Sequence, residues 1–146
     1  MNNRGSMTEI RDLCLYGMLD GVRAALARGG DVNNKNCSGR TALMGAVSNG
    51  HNSVVKLLLE QPGVKVNEKS NHLGETALHC AGLSNNAEGA RMLLLHPDFN
   101  SANATQVGGE TALSWAVICR AKELLIELVK HESVSLDLRE GVFDER

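Results

Sequence analysis

A histidine and a cysteine stand side by side in the segment GETALHCA, at positions 79 and 80. A thiolate nucleophile with an imidazole base is the chemistry that this pair of residue types could perform. Neighbouring residues on a helix point about 100° apart, so His79 and Cys80 are badly placed to share a proton. The similar segments GRTALMGA and GETALSWA keep the surrounding frame but contain neither residue at these places. We therefore predict a structural role for the pair and no catalytic residue.

The four cysteines also bear on metal binding and on disulfides. Cys14, Cys37, Cys80 and Cys119 lie 23, 43 and 39 residues apart, with no paired CxxC. No histidine lies at zinc-finger spacing from any of them, so we expect neither a metal site nor another bound cofactor. A chain with its own apolar core does not need a disulfide framework. Four free thiols are predicted, which is typical of an intracellular protein.

Composition and charge limit the possible partners. The 146 residues are 42% apolar and only 3% aromatic, which suits one domain with a core of Leu, Val and Ala. The 15 basic and 17 acidic side chains nearly cancel, so neither nucleic acid nor an anionic membrane is an expected partner. No apolar run approaches the ~20 residues of a membrane span, and the start MNNRGS lacks the apolar core of a signal peptide. The expected location is intracellular, either cytoplasmic or nuclear.

One structural unit recurs along the chain. Thr41, Thr76 and Thr111 are separated by 35 residues each, with Leu two positions and Ala five positions after every Thr. A fourth copy begins 33 residues earlier, at Thr8. Such a period is the signature of a repeat protein, in which each unit buries its apolar face against the next. The predicted units are 8–40, 41–75, 76–110 and 111–137, after a leader at 1–7 that resembles an expression remnant and before an incomplete fifth unit or tail at 138–146.

Each unit is predicted to contain two short helices followed by a turn-rich loop. The Thr hydroxyl can cap the first helix, which runs about nine residues to Gly17, Gly50 or Asn85. These residue types tolerate the left-handed conformation at a helix end, whereas Arg120 in the last unit departs from the pattern. Helices of about ten residues are marginal alone, so stacking of the units must stabilise them.

The frame Gly-x-Thr-Ala-Leu-His-x-Ala, a second helix ending in Leu-Leu and the segment GGDVN resemble the ankyrin repeat. The resemblance implies an all-α repeat solenoid, in which ankyrin-like helix-turn-helix units stack and short β-hairpin fingers line a concave groove. It also implies that His79 bonds back to Thr76 and to the neighbouring finger. Protein partners, bound in the groove, are the implied ligands.

The resemblance further implies contact positions on the fingers just before each Thr and near the end of each first helix. The expected contact residues are Leu15, Tyr16, Arg40, Ser48, Asn49, His72, Glu75, Leu83, Ser84, Glu110, Ile118 and Cys119. The apolar members of this set would form a stripe in an open groove, which commonly marks an interface. Glu75 and Glu110 would favour a basic or amide-rich segment of the partner and set its register. The alternative is that these side chains pack under the fingers as ordinary core.

A second surface carries cations at matching places on successive second helices, Arg23, Lys56 and Arg91. We interpret this surface as a solvated convex face, with an acidic docking site as the alternative. The last unit breaks the column with Ile126 and lacks the polar outer face that a terminal repeat needs. Either the chain is part of a longer protein, or a partner covers this face, or the tail folds over it. Self-association of the chain through the uncapped unit is one such contact.

Two classes of function remain. The sequence contains no Gly-rich phosphate loop, paired carboxylates or metal cluster, so the first class is a non-catalytic protein–protein interaction scaffold or adaptor. The second is the substrate-recruiting part of a larger enzyme, such as a ubiquitin-ligase adaptor, with the chemistry on a segment outside this sequence. A small ankyrin-type inhibitor of cell-cycle kinases is a narrower alternative of similar length.

Overall fold

The computed structural model describes residues 9–131 and 134–136 of the chain. Within these residues the chain forms eight α-helices and no β-strand. The helices are α1 Ile10–Leu15, α2 Leu19–Ala27, α3 Ala42–Ser48, α4 Asn52–Leu59, α5 Ala77–Ser84, α6 Ala87–Leu95, α7 Ala112–Ile118 and α8 Lys122–Lys130. None of them is both long and apolar enough to cross a membrane. The leader expected at 1–7 and the incomplete unit expected at 138–146 lie outside the described residues.

Threonine hydroxyls cap the first helix of three pairs, as the sequence predicts. At Thr41, Thr76 and Thr111, Oγ1 accepts a hydrogen bond from the backbone N–H three residues later, at distances of 3.1 to 3.3 Å. Each bond satisfies one backbone donor that the start of a helix leaves unpaired, which typically contributes about 1 kcal/mol.

The first helix of every pair is followed by a residue in the left-handed conformation. The φ angle is +70° at Gly17, +72° at Gly50, +53° at Asn85 and +57° at Arg120. The ends predicted at the two glycines and at Asn85 are therefore confirmed. Arg120 adopts the same conformation despite its Cβ atom, so the last turn keeps its shape at a steric cost of about 1–2 kcal/mol.

The helices lie in two rows. Helices α1, α3, α5 and α7 contact one another in order and form the inner row, while α2, α4, α6 and α8 form the outer row. Each inner helix also packs on the outer helix of its own pair. One continuous core results, in which Leu58, Leu93 and Leu128 are fully buried. Because helices this short are marginal alone, stacking between pairs stabilises them.

We call the segments that lead into Thr41, Thr76 and Thr111 the fingers. In each finger a backbone N–H, of Asn36, Ser70 or Gln106, donates a hydrogen bond of 2.9 to 3.0 Å to the backbone oxygen of the residue just before the Thr. Within the part of the chain that the structure describes, β pairing is limited to one isolated bridge at Thr41. The fingers are thus tight turns and not the expected β-hairpins, because the few backbone bonds of each turn leave too few opposed residues for a ladder.

Three asparagines tie each loop to the next and so fix the spacing of the fingers. Backbone N–H groups donate to their side-chain oxygens, from Lys65 to Asn33 at 2.8 Å, from Asn100 to Asn67 at 2.9 Å and from Ser135 to Asn103 at 2.6 Å. Consecutive fingers are also joined directly, since Asn71 N–H donates to Ser38 O and Val107 N–H donates to Leu73 O, both at 2.8 Å. The inner row and the fingers therefore form one connected surface.

Candidate functional site

Four apolar side chains at the C-terminal ends of the inner helices are open to solvent. The exposed fractions are 40% for Leu15, 71% for Tyr16, 54% for Leu83 and 62% for Ile118. We call these four residues the apolar stripe. Their exposure argues against the alternative that they pack under the fingers as core. Whether the stripe contacts a partner stays a prediction.

A second column of inner-row residues lies next to the stripe. A Cβ atom added at Gly45 would lie 3.6 Å from Leu15 Cδ1, so Leu15 packs closely over α3 there. Trp115 packs against the preceding inner helix, α5, because a Cβ atom added at Gly82 of that helix would lie 3.5 Å from Trp115 Cβ. The column occupies one position of the repeat and consists of Gly45, Cys80 and Trp115. We call it the floor of the groove.

The floor between the second and third helix pairs is covered by an arginine. Arg40 Nη2 donates to Ser48 Oγ at 2.8 Å and lies 3.6 Å from Cys80 Sγ. Its Nη1 donates to Glu75 Oε1 in an ion pair. Cys80 is buried, and this burial raises the pKa of its thiol even though the nearby Arg40 charge opposes the shift. The thiol is therefore poorly suited to act as a nucleophile.

Glu75 does not lie on the open surface as the sequence analysis expects. Its side chain is 2% exposed, and the charge is paired with Arg40. A buried carboxylate needs such a partner, because an unpaired charge in the interior costs several kcal/mol. In this structure Glu75 positions Arg40, and only Arg40 of the two keeps an exposed part.

Glu110 occupies the same position one unit later but has a different environment. The residue is partly exposed, and among the described residues no ion pair involves it. Its Oε1 accepts a long hydrogen bond of 3.4 Å from Trp115 Nε1. A carboxylate and a partly exposed aromatic ring therefore meet on the groove side of α7.

His79 connects these parts of the groove as a structural residue. Its Nδ1 accepts from the backbone N–H of Thr76 at 3.1 Å, and its Nε2 donates to the backbone oxygen of Glu110 at 2.9 Å. Its ring meets Trp115 edge-on, with centroids 5.2 Å apart and planes at 72°. Burial lowers the pKa of His79, although the bond to Glu110 works in the opposite direction. The predicted bonds to Thr76 and to the neighbouring finger are confirmed.

The remaining expected contact residues differ in whether their side chains already form hydrogen bonds within the chain. Asn49, His72, Ser84 and Cys119 are exposed, and Ser48 is partly exposed. Asn49 and Ser84 donate side-chain hydrogen bonds within their own helices, to Gly45 O at 3.0 Å and to Cys80 O at 2.9 Å. These two side chains are therefore partly committed to the scaffold.

Three further residues on this face are not among those predicted from the sequence. The finger residues Leu73 and Val107 are 48% and 76% exposed, and Trp115 lies in the floor. An apolar residue within two positions of a finger glycine is a signal that could have identified Leu73 and Val107, because turn tips are usually polar. Trp115 could have been found as the one tryptophan of the chain at a position that varies between the units.

Thiols and metal ligands give no second site. Cys14 and Cys80 are buried and Cys37 and Cys119 are exposed, all four as free thiols. In residues 9–131 and 134–136, no group of three His, Cys, Asp or Glu side chains is arranged to hold a metal ion.

The outer row presents charged side chains and some exposed apolar ones. Arg23, Lys56 and Arg91 are exposed, and Arg91 is paired with Glu88 at 2.6 Å. This pairing favours the interpretation of a solvated face. Ile126, at the matching place on α8, is 49% exposed.

Comparison with known proteins adds to this geometry. Residues 11–103, more than half of the chain, match the family described as ankyrin repeats, in three copies. A rice protein (Oryza sativa subsp. japonica) named probable E3 ubiquitin-protein ligase XBOS33 is 38% identical over 99 residues. The alignment covers 64% of this chain and 19% of the rice protein, so the chain spans about a fifth of that relative's length.

Proposed function

The chain belongs to the ankyrin-repeat family, whose members are protein-interaction modules, and we propose that it is a non-catalytic scaffold that binds a peptide or helix of a protein partner. The proposed binding surface is the groove formed by the fingers, the floor and the apolar stripe. The single observation that carries the proposal is the exposure of the stripe, at 40% or more for each of its four side chains. Solvation alone would select polar residues at such positions.

The energetics of the stripe indicate what else a partner must contact. Burying an aliphatic side chain fully contributes about 1.5–3 kcal/mol, and these side chains are already partly covered, so the stripe offers on the order of 4 kcal/mol. Association costs about 4–15 kcal/mol in lost translational and rotational freedom. Apolar contact alone therefore does not hold a partner, and contacts from the fingers and from Trp115, the partly exposed residue of the floor, must add to it.

The proposal assigns no catalytic role to the residues that could do chemistry. His79 uses both ring nitrogens for bonds to the backbone, and the Cys80 thiol lies beneath Arg40. A general base needs a free nitrogen within reach of the proton that it removes. Both residues instead hold the fingers on the inner row.

A random peptide library tests the proposal. Binders are selected on the wild-type chain and compared on a groove variant, Tyr16→Ser/Leu83→Ser/Ile118→Ser. A matched outer variant, Leu95→Ser/Ile126→Ser/Val129→Ser, changes three side chains of similar exposure, at 70%, 49% and 52%. We expect the groove variant to lose the selected peptides and the outer variant to keep them, while both keep their helical circular dichroism. Binding lost only in the outer variant would contradict the proposal.

A second candidate is the substrate-recruiting part of a larger ubiquitin ligase. The observation that favours it is the similarity to the rice protein, of which this chain covers only 19%. In that case the groove would bind the protein to be modified, and the catalytic step would belong to another part of the protein. The test is ubiquitin transfer by the full-length gene product with activating and conjugating enzymes. Ubiquitin chains on a groove-bound protein would support this candidate, and their absence would contradict it.

A further inference from the structure

The groove contains one carboxylate that the scaffold neutralises and one that it does not. Glu75 is 2% exposed and paired with Arg40, whereas Glu110 is partly exposed and forms no ion pair within the described residues. Resting on the function proposed above, we propose that Glu110 and Trp115 form the subsite for a basic side chain, Arg or Lys, of the bound segment.

The charge of Glu110 is what gives this subsite its preference. The finger next to that of Glu110 carries Glu75 at the matching position, and Arg40, one finger further away, is occupied by Glu75 and Ser48. Lys69, the cation close enough to act on His79, donates to Thr105 O at 3.0 Å. A positive group of the partner would therefore meet a carboxylate without an ion-pair partner in the described chain, and such charge-assisted hydrogen bonds are among the strong ones.

Trp115 supplies the second recognition element. Its ring is partly exposed, and an arginine or lysine placed over an indole face is attracted by the ring's negative face. The indole N–H points at the Glu110 carboxylate, at 3.4 Å. The carboxylate and the ring are therefore linked, and one cation that reaches the first also lies near the second.

The subsite is held in place before any partner binds. Trp115 packs edge-on against His79, which is fully buried and bonded on both ring nitrogens. Because its Nδ1 accepts a hydrogen bond from Thr76 N–H, the ring is neutral and does not repel an incoming cation, and burial lowers its pKa in the same sense. Preorganisation of this kind reduces the ordering cost of binding.

Ile118, the residue of the apolar stripe nearest to Trp115 in sequence, indicates a second feature of the ligand. Ile118 follows Trp115 by three positions on α7 and is 62% exposed. Residues three apart on a helix are neighbours on its surface. The bound segment is therefore expected to carry an apolar side chain close to its basic residue, the first for Ile118 and the second for Glu110 and Trp115.

Peptides selected from the random library supply the first test. We expect Arg or Lys to be enriched at one position, and Glu110→Gln to weaken the selected peptides by about tenfold or more. Gln keeps the size of the side chain and an oxygen for Trp115, so folding is not at issue. The matched control is Glu60→Gln, an exposed carboxylate at the end of α4 on the outer row. It should leave binding unchanged.

Trp115 is the one tryptophan of the chain, so its fluorescence reports on the subsite alone. The probes are one selected peptide with arginine and the same peptide with citrulline, which has a similar shape without the charge. The arginine peptide should change the Trp115 emission at a concentration about tenfold lower than the citrulline peptide, and Glu110→Gln should remove this difference.

The outcomes separate this inference from the proposed function. Peptides that need the stripe but show no basic residue, or bind Glu110→Gln as tightly as the wild type, would overturn the inference and leave the groove as the binding surface. Selection that yields no groove-dependent peptide would overturn both. Equal affinity of the arginine and citrulline peptides would overturn the inference by itself.

Discussion

Glu75 and Glu110 occupy the same position of the repeat, 35 residues apart, yet the structure uses them differently. At the boundary between the second and third helix pairs, Glu75 is buried against Arg40. At the boundary between the third and fourth pairs, Glu110 is partly exposed beside Trp115. The first boundary is closed by an internal ion pair, whereas at the second the carboxylate of Glu110 is partly open to solvent.

The difference arises from the residue one unit earlier. The position that precedes each Thr holds Arg40, then Glu75, then Glu110. Glu75 therefore follows a finger with a cation, whereas Glu110 follows a finger whose carboxylate is already paired. In a repeat array the role of a side chain thus depends on its counterpart in the neighbouring unit as well as on its own position.

The largest expected effect comes from a substitution that loosens both boundaries together. Leu93 is fully buried on α6, and Leu93→Ala should lower the free energy of unfolding by about 2–5 kcal/mol. Because each pair is stabilised by its neighbours, hydrogen exchange should speed up in the second and fourth pairs as well. On the same helix, Leu95→Ala changes a side chain that is 70% exposed and should cost less than about 0.5 kcal/mol. Exchange that accelerates only within α6 would contradict the stacking.

The next largest effect distinguishes the two carboxylates. Arg40→Met should cost about 2–3 kcal/mol, because it leaves the buried Glu75 carboxylate without its partner while Arg40 itself is partly exposed. Glu110→Gln should change stability by less than about 0.5 kcal/mol. Urea unfolding of the two variants measures the difference.

The double variant Arg40→Met/Glu75→Met is the control for this comparison. It removes the buried Glu75 carboxylate together with the arginine, so no unpaired charge remains. The double variant should therefore recover most of the stability that Arg40→Met loses. If Arg40→Met were as stable as the wild type, Glu75 would not depend on the ion pair, and the contrast with Glu110 would disappear.

A smaller effect concerns the dependence of stability on pH at the second boundary. Burial lowers the pKa of His79 in the folded state from its ordinary value of 6.5, so the unfolded chain binds the proton more readily. The stabilising contribution is complete above that ordinary value and is lost as the pH falls through the folded-state pKa. Unfolding free energies between about pH 7 and pH 5 should fall less steeply for His79→Gln than for the wild type. Equal slopes would show that His79 does not titrate differently on folding.

The smallest expected effect is a difference in reactivity between the thiol at the closed boundary and the thiol at the exposed end of α7. Cys80 lies beneath Arg40, and burial raises its pKa, whereas Cys119 is exposed. Cys37 is exposed, and burial raises the pKa of Cys14 to about 12. A thiol reagent should therefore label two thiols quickly in the native protein, and only one in Cys119→Ser. If Cys80→Ser had fewer fast-reacting thiols than the wild type, Cys80 would be accessible to the reagent and the first boundary would be open.

The sequence predicted the helix pairs, the Thr caps and the bonds of His79 because these depend on local patterns that recur in several units. It did not predict the burial of Glu75, because ion pairing with Arg40 depends on how far two fingers approach each other across the array. Trp115 was missed for a related reason. Its surroundings combine a finger carboxylate with a histidine of the preceding pair, and no single repeat contains both.

Photo-crosslinking tests the central claim most directly, namely that a partner segment lies on the inner face. A benzophenone amino acid replaces Leu83 in one variant and Leu95 in another, two leucines that are 54% and 70% exposed on the inner and outer rows. Each variant is irradiated with a labelled peptide selected on the wild-type chain. The account predicts a crosslink from position 83 and none from position 95. A crosslink from position 95 alone would contradict it.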